Sequence, residues 1–326
     1  MSKPVVVVPG LVRKDALAYL SEHVTIKQWT EKTPMPRETL KEWLKEADGL
    51  WSINNVTVDA DLVAEAPNLK VIAQASVGYD NVVIDDLTAR HIPYGNTPDV
   101  LTESVAELAF TLVAAASRRV MENADFVKSG QWEQRPSNIK GKDLSRCTLG
   151  IIGMGNIGVS ISRRARAFGM TVIYNNRKPR PDEKLYMVEY RDRDTLYAES
   201  DVVLVVTPLT PETYHMIDKE AFKKMKKEAL FVNVGRGKIV DTDALVWALN
   251  EGEIDYAALD VTDPEPLPAD HPLLKTGKVL VVPHIASFTD RTRRDMAMLT
   301  ADNLILGVQG KPLKTCVNKD VNYKAE

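Results

Sequence analysis

Cysteine is scarce in this chain: Cys147 and Cys316 are the only two in 326 residues. They lie far apart and lack metal-ligand spacing, so the sequence gives neither a disulfide framework nor a metal site, and free thiols in a reducing compartment are expected. An excess of either charge is also missing. Lys and Arg total 42 against 45 for Asp and Glu, a formal net charge of −3. Nothing in that balance suggests a nucleic-acid or anionic-membrane partner, since either would need a basic surface. Long apolar runs are absent too. The N-terminal MSKPVVVVPGLV is too short in its apolar part for a signal peptide and reads as a buried strand, Val5–Val8. The longest helix-like apolar stretch, SVAELAFTLVAAAS, is too short to span a bilayer and carries Glu107. A cytoplasmic location is the resulting expectation.

What is present is ordinary for a soluble globular protein: 44% hydrophobic and 27% charged residues. The length exceeds what one core usually holds, so two domains are expected. Strand and helix signals alternate. Early strands include Val5–Val8, Gly49–Trp51 and Val71–Ala73, with helical patterns at Arg37–Ala47 and Asp59–Ala66. A longer helix begins near Thr102, where Val105, Leu108, Ala109, Leu112, Val113 and Ala116 form one apolar stripe. After the polar stretch KSGQWEQRPSNIKGKDLS come six strand signals: Leu149–Ile152, Thr171–Tyr174, Val202–Val206, Leu230–Val234, Tyr256–Val261 and Val279–Val282. A last helix covers Asp290–Val308, with no sign of where it packs. The βαβα alternation predicts an α/β fold with parallel sheets covered by helices.

TLGIIGMGNIG places Gly153, Gly155 and Gly158 in a G-x-G-x-x-G turn between a strand and a helix, the context that makes this otherwise weak motif a dinucleotide signal. Gly153 permits the tight turn, Gly155 lets the backbone approach a pyrophosphate, and Gly158 lets helix and strand pack closely. The helix N-terminus offers N–H groups to phosphate. About twenty residues later such folds place a carboxylate for a ribose hydroxyl. Here VIYNNRKPR has Asn175 and Asn176, then Arg177, Lys178 and Arg180. A carboxylate would repel a 2′-phosphate, whereas Arg177 can grip one and Lys178 or Arg180 can add a second cation. The loop therefore points to NADP(H) in preference to NAD(H), with a solvated basic loop as the alternative. Arg163, Arg164 and Arg166 read as a solvated helix face.

Ligands of open α/β sheets bind outside the carboxyl ends of the strands. Three chemistry-bearing residues fall there. LFVNVGRGKIVD puts Arg236 past one strand between two glycines; YAALDVTDPEPL puts Asp260 at the next strand end and Glu265 between Pro264 and Pro266; VLVVPHIAS puts His284 past a third. Such a set suits reduction of a 2-oxo acid. A histidine can protonate the carbonyl oxygen, a neighbouring carboxylate would favour its charged form and fix the ring, and an arginine can bind a carboxylate and polarise the carbonyl. Singly, each residue reads as structural; together, after a nucleotide motif, they read as a site.

SVGYDN (Ser76–Asn81), TPDVLTESVAEL (Thr97–Leu108), GMGNIG, NVGRGKIVD, LDVTDPEPL and PHIAS together make the chain resemble the D-isomer-specific 2-hydroxyacid dehydrogenase family over nearly its whole length. YNNRKPRP, HPLL and CVN (Cys316–Asn318) are similar to its glyoxylate/hydroxypyruvate and 2-ketogluconate reductase branch. The resemblance implies two doubly wound, Rossmann-like or flavodoxin-like domains with an active-site cleft between them: a discontinuous substrate domain, 1–99 plus 291–326, and a dinucleotide domain, 100–290. It implies substrate binding by Arg236, support of the histidine by Glu265, acid/base work by His284, and N–H groups of Val77 and Gly78 on the substrate carboxylate. For the cofactor it implies Asn156 and Ile157 at the pyrophosphate, Thr102, Thr207, Pro208 and Gly235 along the dinucleotide, and Asp260 at the nicotinamide carboxamide. It also implies a homodimer, with the segment of Trp132 near the interface, a purely structural Trp being the alternative. One departure stands out: relatives often read HIGS where this chain reads HIAS, so Ala286 adds a methyl near the expected nicotinamide. The expected activity is reduction of glyoxylate or hydroxypyruvate to an (R)-2-hydroxy acid, with 2-keto-D-gluconate as the alternative substrate and a dinucleotide-sensing regulatory scaffold as the alternative class. No metal, nucleic-acid or membrane partner is expected.

Overall fold

The computed structural model describes residues 2–321. The chain divides into two compact units, Met1–Leu101 with Thr289–Glu326, and Thr102–Phe288.

The first unit runs β1 (Val5–Val8), α1 (Lys14–Ser21), β2 (Thr25–Gln28), α2 (Arg37–Leu44), β3 (Gly49–Ser52), α3 (Ala60–Ala64), β4 (Val71–Gln74), α4 (Ile84–Ala89) and β5 (Tyr94–Gly95). Its five strands are all parallel, in the order β2-β1-β3-β4-β5. β1 is four valines because a central parallel strand is covered on both faces, so apolar residues run on without alternation. β2 was hidden in the sequence: Thr-Ile-Lys-Gln pairs only at the sheet edge and is part-exposed.

The second unit runs α5 (Thr102–Ser117), α6 (Val120–Lys128), β6 (Thr148–Ile152), α7 (Asn156–Ala167), β7 (Thr171–Asn175), α8 (Glu183–Tyr186), β8 (Glu189–Tyr190), α9 (Arg193–Glu199), β9 (Val202–Val205), α10 (Lys219–Lys224), β10 (Leu230–Asn233), α11 (Thr242–Glu251), β11 (Tyr256–Leu259), α12 (Pro272–Lys275) and β12 (Val279–Val281). The sheet is parallel in the order β12-β11-β10-β9-β6-β7-β8, so it has seven strands where the sequence suggested six. The addition is β8, whose two residues, Glu and Tyr, carry no apolar pattern. One face packs on α5 and α7 through Ala109, Leu112, Val113 and Ile161. The other packs on α9, α10 and α11 through Leu196, Phe222, Leu245 and Leu249. Asp192, Asp218 and Asp241 start the last three helices by accepting from Thr195, Ala221 and Ala244 N–H.

The final helix, α13 (Asp290–Val308), has the bounds read from sequence and packs in the first unit. Ala297, Ala301, Leu304 and Val308 meet Val6, Val8, Trp51, Val71 and Ala73. Gly307 permits the approach, since a Cβ there would overlap the Val71 side chain.

The arginines of α7 are not merely a solvated face. Arg164 pairs with Glu103 at 2.9 Å and Glu107 at 3.4 Å on α5, Arg163 lies over the Tyr186 ring, and Arg166 donates to the Tyr186 carbonyl. They tie α7 to its neighbours, a role that only tertiary packing reveals. Among the described residues no helix is long and apolar enough to cross a membrane, and no cluster of His, Cys, Asp or Glu could hold a metal ion.

Candidate active site

The strand order of the second sheet reverses at β6, which lies between β9 and β7. The glycine-rich turn leaves β6 at this switch point, where ligands of such sheets bind. Gly153 has φ +107°, and a Cβ on it would press into the Val206–Thr207 backbone. A Cβ on Gly158 would overlap the Gly153 carbonyl, so only glycine lets α7 start this close. Gly155 differs: a Cβ there would meet nothing within 4 Å. It is the N-cap of α7 and makes no side-chain cap hydrogen bond. Asn156 and Ile157 open that helix, the first exposed and the second packed on the core. Open space over Gly155, in front of an uncapped helix start, fits a pyrophosphate.

The end of β7 and the loop after it divide the work. Asn175 donates to the Arg191 carbonyl at 2.7 Å, and Asn176 accepts from Met154 N–H at 2.7 Å. Asn176 therefore braces the glycine turn. Arg177 and Lys178 are exposed. Arg180 is engaged with Asp182 and Met154.

β10, β11 and β12 are neighbours, and their carboxyl ends carry Arg236, Asp260 with Glu265, and His284. Arg236 sits between Gly235 and Gly237 because the backbone is crowded there: a Cβ on Gly237 would overlap the Thr262 carbonyl, and one on Gly235 would press on the Thr207 carbonyl. Buried Asn233 ties the turn, donating to the Arg236 carbonyl at 2.9 Å and accepting from Gly235 N–H at 3.0 Å. Thr207 is part-buried and Pro208 exposed at the end of β9, beside this turn.

His284 Nδ1 lies 2.7 Å from Glu265 Oε1. Burial pushes the Glu265 carboxyl up, but the His284 hydrogen bond and charge, the Thr262 N–H and the Arg236 charge pull harder, leaving it below the ordinary carboxylate range. Arg236, from the neighbouring strand end, is among the charges that act on Glu265.

His284 has φ +53°, a left-handed conformation that costs a non-glycine residue about 1–2 kcal/mol. Asp260 holds it. The buried Asp260 carboxylate accepts from Ile285 N–H at 2.6 Å and Ala286 N–H at 3.1 Å, while its carbonyl accepts from His284 N–H at 2.9 Å. Burial raises the Asp260 carboxyl pKa against the pull of these donors and of His284. Ser104 Oγ on α5 donates to the Ala286 carbonyl at 2.7 Å, and Ala286 is itself buried. Thr102 begins the same helix and is part-exposed. Ser104 and Asn233 gave no signal in the sequence, because each acts through a backbone group whose place only the fold sets.

In the first unit, Val77 and Gly78 lie in the loop after β4. Their carbonyls are taken: Val77 O accepts from Asn96 at 3.0 Å, and Gly78 O accepts from Ser76 Oγ at 2.5 Å and Gln74 at 3.4 Å. Among the described residues neither N–H donates to a protein acceptor.

No side chain of the second unit can carry a hydride, whereas the turn between β6 and α7 is shaped for a group that can. Fold and strand-end chemistry thus define a nicotinamide-dinucleotide oxidoreductase. Residues 110–286 match the D-isomer specific 2-hydroxyacid dehydrogenase, NAD binding domain, model. The chain is 43% identical over 327 residues to a glyoxylate reductase of Aeropyrum pernix, covering 98% of each. It is 44% identical over 322 residues to glyoxylate/hydroxypyruvate reductase B of Escherichia coli, covering 98% of this chain and 99% of that one. The solved NADPH-dependent glyoxylate/hydroxypyruvate reductase of Sinorhizobium meliloti, in complex with NADP and malonate, superposes with a TM-score of 0.91 at 29% identity over all of both chains. The chain belongs to the D-isomer specific 2-hydroxyacid dehydrogenase family.

Proposed function

We propose that this protein reduces small 2-oxo acids, glyoxylate and hydroxypyruvate foremost, to (R)-2-hydroxy acids, with NADPH preferred over NADH. The observation that carries the chemistry is the 2.7 Å His284–Glu265 contact at the end of β12. With Nδ1 donating to Glu265, Nε2 is the nitrogen left to exchange a proton with substrate. The bound dinucleotide would supply the hydride to the carbonyl carbon. His284 Nε2–H then gives its proton to the carbonyl oxygen, and the carboxylate of Glu265 compensates the imidazolium before that transfer. Arg236 polarises the carbonyl and binds the substrate carboxylate. Asp260 acts at the nicotinamide end, where its backbone bonds set the position of His284 and Ala286. The names of the curated relatives support the substrates.

The preference for NADPH rests on the exposed Arg177 and Lys178 where a ribose-binding carboxylate would otherwise stand. The exposed Val120, Met121, Val127 and Trp132 on and after α6 support a homodimer. The two free thiols suit a reducing cytoplasm.

One observation favours 2-keto-D-gluconate as a second substrate. A cavity of about 320 Å³ in the first unit is lined by Ser52, Asn54, Gln74 and Arg293 among others. Its size falls within the range of about 300–1,000 Å³ typical of small-molecule sites, and these polar groups, set among apolar neighbours such as Trp51, Ile53 and Met296, could bond the hydroxyls of a longer chain.

Initial rates of NADPH and NADH oxidation with hydroxypyruvate, run side by side, test the proposal. Turnover with NADPH preferred is expected. Turnover with NADH preferred would overturn the cofactor assignment, and no turnover with hydroxypyruvate or glyoxylate would overturn the reaction.

A further inference from the structure

Met154 sits between Gly153 and Gly155, so the orientation of its peptide groups sets the aim of the whole phosphate turn. Both of its backbone polar groups are held by the loop after β7. Its N–H donates to Asn176 Oδ1 at 2.7 Å, and its carbonyl accepts from Arg180 Nη1 at 2.9 Å and from Asn176 Nδ2 at 3.4 Å. Gly153 N–H adds a bond to the Asn175 carbonyl at 3.0 Å. The Met154 side chain is buried, which anchors the residue from the other side.

Arg180 is itself fixed. It forms a fork on Asp182, Nε to Oδ1 at 2.8 Å and Nη2 to Oδ2 at 2.7 Å. Its guanidinium lies 5.4 Å from the Tyr186 ring, and its backbone N–H donates to Tyr174 Oη at 2.7 Å. The side chain is only 23% exposed. A fork already matched to a carboxylate is a poor second cation for a 2′-phosphate, which would have to displace Asp182 and break the Met154 bond. Arg177 and Lys178, earlier in the same loop, are exposed instead.

We propose that Arg180 is a positioning residue that holds the Met154 carbonyl, and with it the glycine-rich turn, in its dinucleotide-binding orientation, and is not a ligand of the 2′-phosphate. The inference rests on the reading that this turn binds a nicotinamide dinucleotide. The pyrophosphate is common to NADH and NADPH, so loss of the clamp penalises both cofactors by the same factor. Loss of a 2′-phosphate ligand penalises NADPH alone.

The test is the dissociation constant of NADPH and of NADH, by fluorescence titration, for the full-length protein and its Arg180→Ala and Arg177→Ala variants. Arg180→Ala should weaken both cofactors roughly ten-fold, the scale of one charge-assisted hydrogen bond. At saturating cofactor kcat should be retained while both cofactor KM values rise. Arg177→Ala should weaken NADPH and leave NADH unchanged. A loss confined to NADPH in Arg180→Ala would make Arg180 a phosphate ligand and overturn the proposal, as would unchanged binding of both. Arg180→Met keeps the stem on Tyr186 and removes only the fork, so it gives the same readout if the alanine variant folds poorly. Binding of either dinucleotide by the unaltered protein tests the underlying reading separately, and the ratio of the two losses tests the clamp.

Discussion

Replacing Glu265 by Gln preserves shape and removes one charge, which makes it the sharpest probe of the strand-end site. The carboxylate lies 2.7 Å from His284 Nδ1, and its own pKa is held below the ordinary range, with burial opposing and the His284 bond leading the groups that outweigh it. A hydrogen bond to a charged partner is worth about 1.5–3 kcal/mol. The side chains of His284 and Glu265 are 37% and 42% exposed, so solvent screening reduces that figure; roughly 1–2 kcal/mol is a fair scale. One kcal/mol is about a five-fold change and 1.4 about ten-fold. kcat/KM for glyoxylate near pH 7.5 should therefore fall roughly ten-fold in Glu265→Gln, with cofactor binding unchanged. Initial rates measure this directly, and because the substitution keeps the shape of the side chain, an unchanged kcat/KM would refute the idea that the carboxylate acts through its charge.

Other substitutions separate the contributions of neighbouring groups. Asp260→Asn leaves one of the Ile285 and Ala286 N–H groups facing an NH2, at a cost of about 1–3 kcal/mol, so Tm and kcat should both fall; an unchanged kcat would detach Asp260 from His284. Gly155→Ala should fold normally, since a Cβ there meets nothing within 4 Å, yet bind NADPH weakly. Gly237→Ala should lose about 3 kcal/mol of stability to its clash with the Thr262 carbonyl, and calorimetry with cofactor titration distinguishes the two. Acid unfolding should show opposite signs for the two carboxyls. The lowered Glu265 stabilises above its unfolded pKa of about 4.3 and loses that contribution as pH falls through its folded value. The raised Asp260 contributes below its unfolded pKa of about 3.9 and loses that contribution as pH rises through its folded value. Tm against pH for Glu265→Gln and Asp260→Asn reads both.

Much of this was legible in the sequence because the chemistry is local. Buried parallel strands announce themselves as β-branched runs, and three glycines at this spacing between a strand and a helix mark a turn that phosphate can approach. The bounds of α13 matched the Asp290–Val308 read from the sequence. β2 and β8 escaped because edge strands need no continuous apolar face. The roles of Ser104, Asn233, Arg164 and Arg180 escaped for another reason. Each side chain bonds a group on another element, or holds a backbone carbonyl whose position only the fold determines. Asp260 shows the boundary between the two cases: its strand-end position marked it as functional, yet its two backbone bonds to the His284 loop were visible only in the structure.

The most direct test of the central claim is single-turnover reduction of glyoxylate by NADPH-loaded His284→Gln, with the NADPH dissociation constant measured in the same preparation. Turnover should be lost by several orders of magnitude while cofactor affinity stays within a factor of about two, because a glutamine cannot deliver the proton. Near-normal turnover in that variant would contradict the assignment of His284 as the acid and the mechanism built on it.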